Sequence, residues 1–136
     1  NYLDVDNDAL YPFGYGLSYT TFQYGDIVLN TPTMKQNETI TATIQVTNSG
    51  KYDGAEVVQL YIRDLVGSIT RPVRELKGFK KVFLKAGESK TISFKITADL
   101  LRFYDYDLNQ VTEPGEFDIF IGGSSQATKT ARLTLK

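Results

Sequence analysis

Hydrophobic and polar positions alternate along most of this chain from Phe22 onward. Between Thr39 and Asn48, Ile40, Ala42, Ile44 and Val46 fall on one side, and Thr39, Thr41, Thr43, Gln45 and Thr47 on the other. Successive side chains of a strand point to opposite faces, so this run predicts a strand with one face in a core and one in water. From Glu56 to Arg63, Val58, Leu60 and Ile62 alternate with Val57, Gln59 and Tyr61. Both faces read as partly buried, which suits a central strand. Leu76 to Leu84 predicts one strand or two. Ser89 to Thr97 sets Ile92, Phe94 and Ile96 on one face, and Glu116 to Gly122 opposes Phe117, Ile119 and Ile121 to Asp118 and Phe120. At the end of the chain Ala131, Leu133 and Leu135 alternate with Thr130, Arg132 and Thr134.

Turn chemistry separates these runs. Asn48 to Gly54 is rich in residues that tolerate positive φ, Lys85-Ala86-Gly87-Glu88 reads as a tight turn, and Gly122-Gly123-Ser124-Ser125 as a loop. Ala98-Asp99-Leu100-Leu101 is the one helical turn that the pattern predicts. About seven strands without a long helix predict an all-β fold: an antiparallel β-sandwich of the immunoglobulin or fibronectin type III kind. The antibody variant is excluded, because the chain has neither cysteine nor tryptophan.

Composition narrows the chemistry. A chain of 136 residues is one domain long and can support one core. Fifteen Lys and Arg against sixteen Asp and Glu give no overall field for nucleic acid or an anionic membrane. No apolar run approaches the ~18 residues that cross a bilayer. The absence of cysteine removes disulfides, thiolate metal sites and a thiol nucleophile together. The absence of histidine removes Ser/His/Asp catalysis and the commonest zinc ligand. The sequence starts with Asn1, without a signal peptide, and so reads as a piece of a longer polypeptide.

Four blocks carry a resemblance. Tyr11-Pro12-Phe13-Gly14-Tyr15-Gly16-Leu17-Ser18-Tyr19-Thr20-Thr21-Phe22 resembles the segment that leads into the C-terminal domain of family 3 β-glucosidases and β-xylosidases. Val46-Thr47-Asn48-Ser49-Gly50 through Glu56-Val57-Val58-Gln59-Leu60-Tyr61, Arg71 to Phe79, and Glu113-Pro114-Gly115-Glu116-Phe117 follow in the order of that family. The resemblance covers essentially the whole chain. It implies a fibronectin type III-like accessory domain, within a retaining enzyme that removes terminal β-linked sugars with two carboxyl groups. β-Glucosidase is the activity it favours for that parent. The family's nucleophile sits in a Ser-Asp-Trp context that a chain without tryptophan cannot hold. No catalytic residue, metal ligand or cofactor site carries over. Periplasmic or secreted localisation is implied by family habit, and a homodimer formed through the parent enzyme is compatible with it.

Residues 1–21 read as a linker and docking segment, and residues 22–136 as the sandwich. Tyr11, Phe13, Tyr15 and Tyr19 crowd four aromatics into nine residues. Burying such a side chain is worth ~1.5–3 kcal/mol. Tyr11, Pro12, Phe13, Leu17, Tyr15 and Tyr19 are therefore expected to pack on the catalytic domains, with Gly14 and Gly16 permitting close backbone approach. The competing readings are packing on the chain's own sandwich and a sugar-stacking platform, the latter disfavoured. Gly14-Tyr15-Gly16 is no nucleotide fingerprint, because Tyr19 occupies the third glycine position.

Asp105-Tyr106-Asp107-Leu108-Asn109, with Glu113 and Glu116, places oxygens at calcium-loop spacings, but Gln110 stands where glycine is required. Asp4-Val5-Asp6-Asn7-Asp8 fails in the same way at Ala9. Both read as solvated turns. Arg71, Arg74, Lys77, Lys80, Lys81 and Lys85 form the basic concentration and read as an edge or solvated face. Asn37-Glu38-Thr39 is an N-glycosylation triplet in an expected loop. Phe117 stands where a tyrosine corner would place Tyr. The rival functions are a carbohydrate-binding module and a free-standing immunoglobulin-like interaction domain.

Overall fold

The computed structural model describes residues 20–65, 74–104, 110–123 and 129–136. The strands are β1 (Phe22–Tyr24), β2 (Val28–Leu29), β3 (Thr33–Met34), β4 (Thr39–Asn48), β5 (Gly54–Asp64), β6 (Arg74–Leu84), β7 (Ser89–Thr97), β8 (Phe103–Tyr104), β9 (Gln110–Val111), β10 (Gly115–Gly122) and β11 (Lys129–Leu135). In one sheet β4 is central, with β1 and β2 on one side and β7 on the other. The second sheet has the order β3-β11-β10-β5-β6, antiparallel except for the β3–β11 pair. β8 and β9 form a small separate hairpin.

The first strand is broken because it serves both sheets. β1 pairs with Val46–Asn48, β2 with Ala42 and Thr43, and β3 then crosses to β11. Pro32 sits at the crossing, where its missing N–H costs no ladder bond, and its carbonyl accepts from Thr134 N–H at 2.9 Å. Counted as one interrupted strand, β1–β3 leave seven principal strands. β4 and β7 have the bounds that the alternation predicts. The helical turn is a single 3₁₀ turn, Asp99–Leu101. Leu76 to Leu84 belongs to one strand, interrupted by a bulge: Leu60 faces Gly78, Tyr61 faces Leu76, and Lys77 is the extra residue.

The core is the pair of inner faces. Ile40, Ala42, Ile44 and Val46 of β4 and Ile92, Phe94 and Ile96 of β7 meet Val58, Leu60 and Ile62 of β5, Phe117, Ile119 and Ile121 of β10, and Leu133 and Leu135 of β11. Phe117 is fully buried, with its ring centroid 6.4 Å from that of Phe103, so the position lacking a tyrosine hydroxyl is filled by apolar packing. Phe120, assigned by alternation to the outer face, is also buried, because Arg63 and Arg74 cover its ring at 5.2 and 5.1 Å.

β6 is the free edge of its sheet. Its basic residues do more than stay solvated. Lys77 Nζ donates to the Arg102 carbonyl at 2.8 Å and lies 4.4 Å from the Phe103 ring centre. Lys80 Nζ donates to the Ser93 carbonyl of β7, and Lys90 of β7 returns a bond to the Phe83 carbonyl at 3.3 Å. Lysine amines thus cap carbonyls across the open side of the sandwich, where a foreign strand would otherwise pair. Replacing Phe117 by Ala is expected to cost ~3–5 kcal/mol through lost burial and a residual cavity. Urea unfolding checks this, and a cost below ~1 kcal/mol would contradict the packing described.

Candidate functional site

The end of the sandwich where the chain enters from residues 1–19 is organised around Asn48, the last residue of β4. Its side chain is fully buried and makes four hydrogen bonds, the full capacity of a carboxamide. Oδ1 accepts from Thr20 Oγ1 and from Gly50 N–H, the latter at 3.0 Å. Nδ2 donates to the carbonyls of Tyr52 at 2.7 Å and Leu84 at 3.0 Å. The Asn48 backbone donates to the Glu88 carbonyl and accepts from Gly87 N–H at 2.9 and 2.8 Å. One residue therefore joins the incoming chain, the β4–β5 loop, the end of β6 in the opposite sheet and the β6–β7 turn.

Gly50 completes this joint by lacking a side chain. A Cβ there would lie 2.7 Å from Thr21 N and 2.8 Å from Thr20 Cα. The loop glycine expected to supply a positive φ is thus needed for space; among the described glycines φ is positive at Gly87 and Gly115. Thr21 adds a carbonyl bond from Ser49 N–H and a hydroxyl contact to Ser49 Oγ, both 2.9 Å. Asp53 Oδ1 accepts from Ala86 N–H at 2.9 Å, closing the β6–β7 turn onto the β4–β5 loop.

Beside the joint, Tyr24 OH donates to Glu56 Oε2 at 2.9 Å. Gly123 leaves room for the pair, since a Cβ there would stand 3.1 Å from both Glu56 Cδ and Tyr24 OH. Burial raises the Glu56 carboxyl above the ordinary glutamate range, against the lowering effect of the Tyr24 hydrogen bond. Burial, with the Glu56 charge behind it, raises the Tyr24 phenol well above its ordinary value. The tyrosine remains a neutral donor, and Glu56 is a carboxylate held in a site that disfavours its charge.

The other ionised centre lies on the outer face of β10. Asp118 is buried and accepts from Arg63 Nη2 and Arg132 Nε, each at 2.8 Å, while Arg132 Nη1 also meets Glu116 Oε1 at 2.6 Å. Burial by itself would raise the Asp118 carboxyl; the two guanidinium groups outweigh it and hold the pKa low. Glu116, considered above as a calcium-spaced oxygen, is engaged by Arg132. Among the described residues no three acidic side chains come together as metal ligands.

The expected contact residues Tyr11, Pro12, Phe13, Gly14, Tyr15, Gly16, Leu17 and Tyr19 lie outside the described residues, as do Arg71 and Asp105 to Asn109. Asn37 is exposed in the turn before β4. The residues that sequence reasoning missed are Thr20, Asn48, Gly50 and Glu56. An asparagine at a strand end reads only as turn chemistry, because its partners lie 28 and 36 positions away.

Asn48→Ala strands a hydroxyl, an N–H and two carbonyls and is expected to cost ~2–4 kcal/mol in chemical denaturation, and Gly50→Ala at least ~1–3 kcal/mol through steric overlap. Glu56 has a raised folded-state pKa, so its contribution to stability is complete below the unfolded pKa of ~4.3 and is lost as pH rises through the folded value. The melting temperature of Glu56→Gln relative to the unsubstituted chain should therefore rise as pH goes from ~4.3 through the raised folded value, and be level below and above that window. A difference independent of pH would contradict the burial of that carboxylate.

Comparison with known proteins follows the same geometry. A family model described as fibronectin type III-like domain matches residues 56–125. The chain is 48% identical over 134 residues to a periplasmic beta-glucosidase of Salmonella typhimurium, and 50% identical over 133 residues to a beta-xylosidase of Formosa agariphila. These alignments cover 98% and 96% of the chain and 18% of each relative, so the chain spans under a fifth of the curated relatives it matches. The solved structure of a b-glucosidase from Erythrobacter marinus superposes with a TM-score of 0.80 at 39% identity, covering 93% of this chain and 17% of that one. The sheet order, the two-sheet core and the matched span agree: this chain belongs to the fibronectin type III-like domain family.

Proposed function

We propose that this chain is the non-catalytic C-terminal accessory domain of a family 3 β-glycosidase, packing on and stabilising the catalytic domains of a retaining enzyme that hydrolyses terminal β-linked sugars. β-Glucosidase is the favoured activity of that parent. The observation that carries the reading is the mismatch of coverage: nearly the whole chain aligns with under a fifth of a beta-glucosidase and a beta-xylosidase. The chemistry is consistent with it, since the chain has no histidine or cysteine. Its task is mechanical. Thr20 and Thr21 are fastened to the sandwich, and in this reading the aromatic residues from Tyr11 to Tyr19 dock on the catalytic domains. The periplasmic designation of the Salmonella relative supports a periplasmic or secreted location.

The test is deletion of residues 1–136 from the full-length polypeptide. Loss of both thermal stability and β-glucosidase activity is expected, with no release of nitrophenol from nitrophenyl β-glucoside by the 136-residue chain alone. An undiminished enzyme after deletion, or hydrolysis by the chain alone, would overturn the reading.

A further inference from the structure

The two outer faces of the sandwich differ sharply. On the β4–β7 sheet the outward positions pair Thr41 with Lys95, Thr43 with Ser93, Gln45 with Thr91 and Thr47 with Ser89. That face is mostly polar, with Val28 exposed beside Thr43. On the β5–β6 side of the other sheet, Phe79 and Phe83 are 62% and 54% exposed and flank Lys81, whose cross-strand partner is Val57. Half-buried Tyr61 and ring-covered Phe120 continue this apolar band toward Arg63 and Arg74. A strand that is hydrophobic on both faces needs cover on both, and here the described part of the chain covers one.

We infer that this outer face, centred on Phe79 and Phe83, is a second docking surface, occupied by a carboxylate-bearing surface of the larger remainder of the glycosidase. The inference rests on the accessory-domain reading and adds the face by which the domain is held. Three observations select this occupant. More than four-fifths of each matched relative lies outside the region this chain spans, so a large protein surface is available to it. Arg74 and Lys81 have no acidic partner among the described residues, which favours a partner that brings carboxylates. Thr20 is also tied, through Asn48, to the Leu84 carbonyl at the same end of β6 that carries Phe83.

The same observations disfavour the other occupants. A second copy docking face to face would set Arg74 and Lys81 against their own like charges. A sugar would meet few acceptors, since Asp118 is buried and already held by two arginines. A foreign strand adding to β6 would meet the Lys77 bulge and a Phe83 carbonyl already capped by Lys90. The partner therefore sits on the face and not on the edge.

Because the chain has no cysteine, a single introduced thiol reports on one position. Phe79→Cys, Phe83→Cys and a control on the opposite face, Thr43→Cys, are placed separately in the 136-residue chain and in the full-length polypeptide. Maleimide labelling is then followed by peptide mass spectrometry. The Phe79→Cys and Phe83→Cys thiols are expected to react about tenfold or more slowly in the full-length protein than in the chain alone, with Thr43→Cys unchanged. Circular dichroism verifies that each variant is folded, and the two independent positions guard against a local effect. Equal reactivity in both contexts would overturn the second surface, whereas the deletion experiment separately tests the accessory role. Equal slowing of Thr43→Cys would show nonspecific enclosure and would also overturn it. Protection of the thiols in the chain alone by cellobiose or laminaribiose, or by raising the chain concentration, would replace the inferred partner with a sugar or a second copy.

Discussion

The carboxamide of Asn48 is the constraint on which this arrangement depends. A β-sandwich is held mainly by non-directional burial between its sheets, and burial by itself leaves the loops at its ends free to adopt many arrangements. Here one fully buried amide is satisfied on all four sides by groups from the incoming chain, the following loop and the opposite sheet. Leaving any of these partners unmade inside the protein would cost ~1–3 kcal/mol, so the arrangement is sharply selected. Gly50 turns that selection into a tight contact, because only a residue without Cβ lets the loop backbone lie against Thr20 and Thr21.

The proposed accessory role calls for such a stiff origin. An attached segment can transmit position only if its first residues are fixed, and Thr20 and Thr21 are fixed by bonds to Asn48 and Ser49. Lysine caps on the open edges serve the same end by a different route. They occupy carbonyls that would otherwise recruit strands at random, leaving the side-chain face of the β5–β6 pair available for a chosen partner. Charge is distributed unevenly: Asp118 engages Arg63 and Arg132, while Arg74 lies over the Tyr61 and Phe120 rings.

Much of the fold was legible from alternation. Thr39–Asn48 and Ser89–Thr97 alternate cleanly, and each is a strand with the expected inner face, because period 2 is a local property of an extended backbone. Ile40, Ala42, Ile44 and Val46 could be placed in the core from the sequence alone. The two partly buried faces of Glu56 to Arg63 were legible too, and that reading anticipates the apolar outer face. The two-residue strands were not legible. β2 and β3 are too short to show a period, and they exist only because β4 and β11 offer them partners.

The candidate site divides in the same way. The amino-acid order by itself determined the sandwich class, the inward set of apolar residues, the exclusion of histidine and cysteine chemistry, and the likeness to family 3 glycosidases. Tertiary structure alone decided that Asn48 is a hub, that Gly50 is there for space, that Glu56 is buried beside Tyr24, and that Phe79 and Phe83 share a face the described residues leave exposed. The physical reason is range. Backbone periodicity is written in neighbouring residues, whereas a saturated amide, a steric gap or a bare patch is created by groups from distant parts of the chain that meet only after folding.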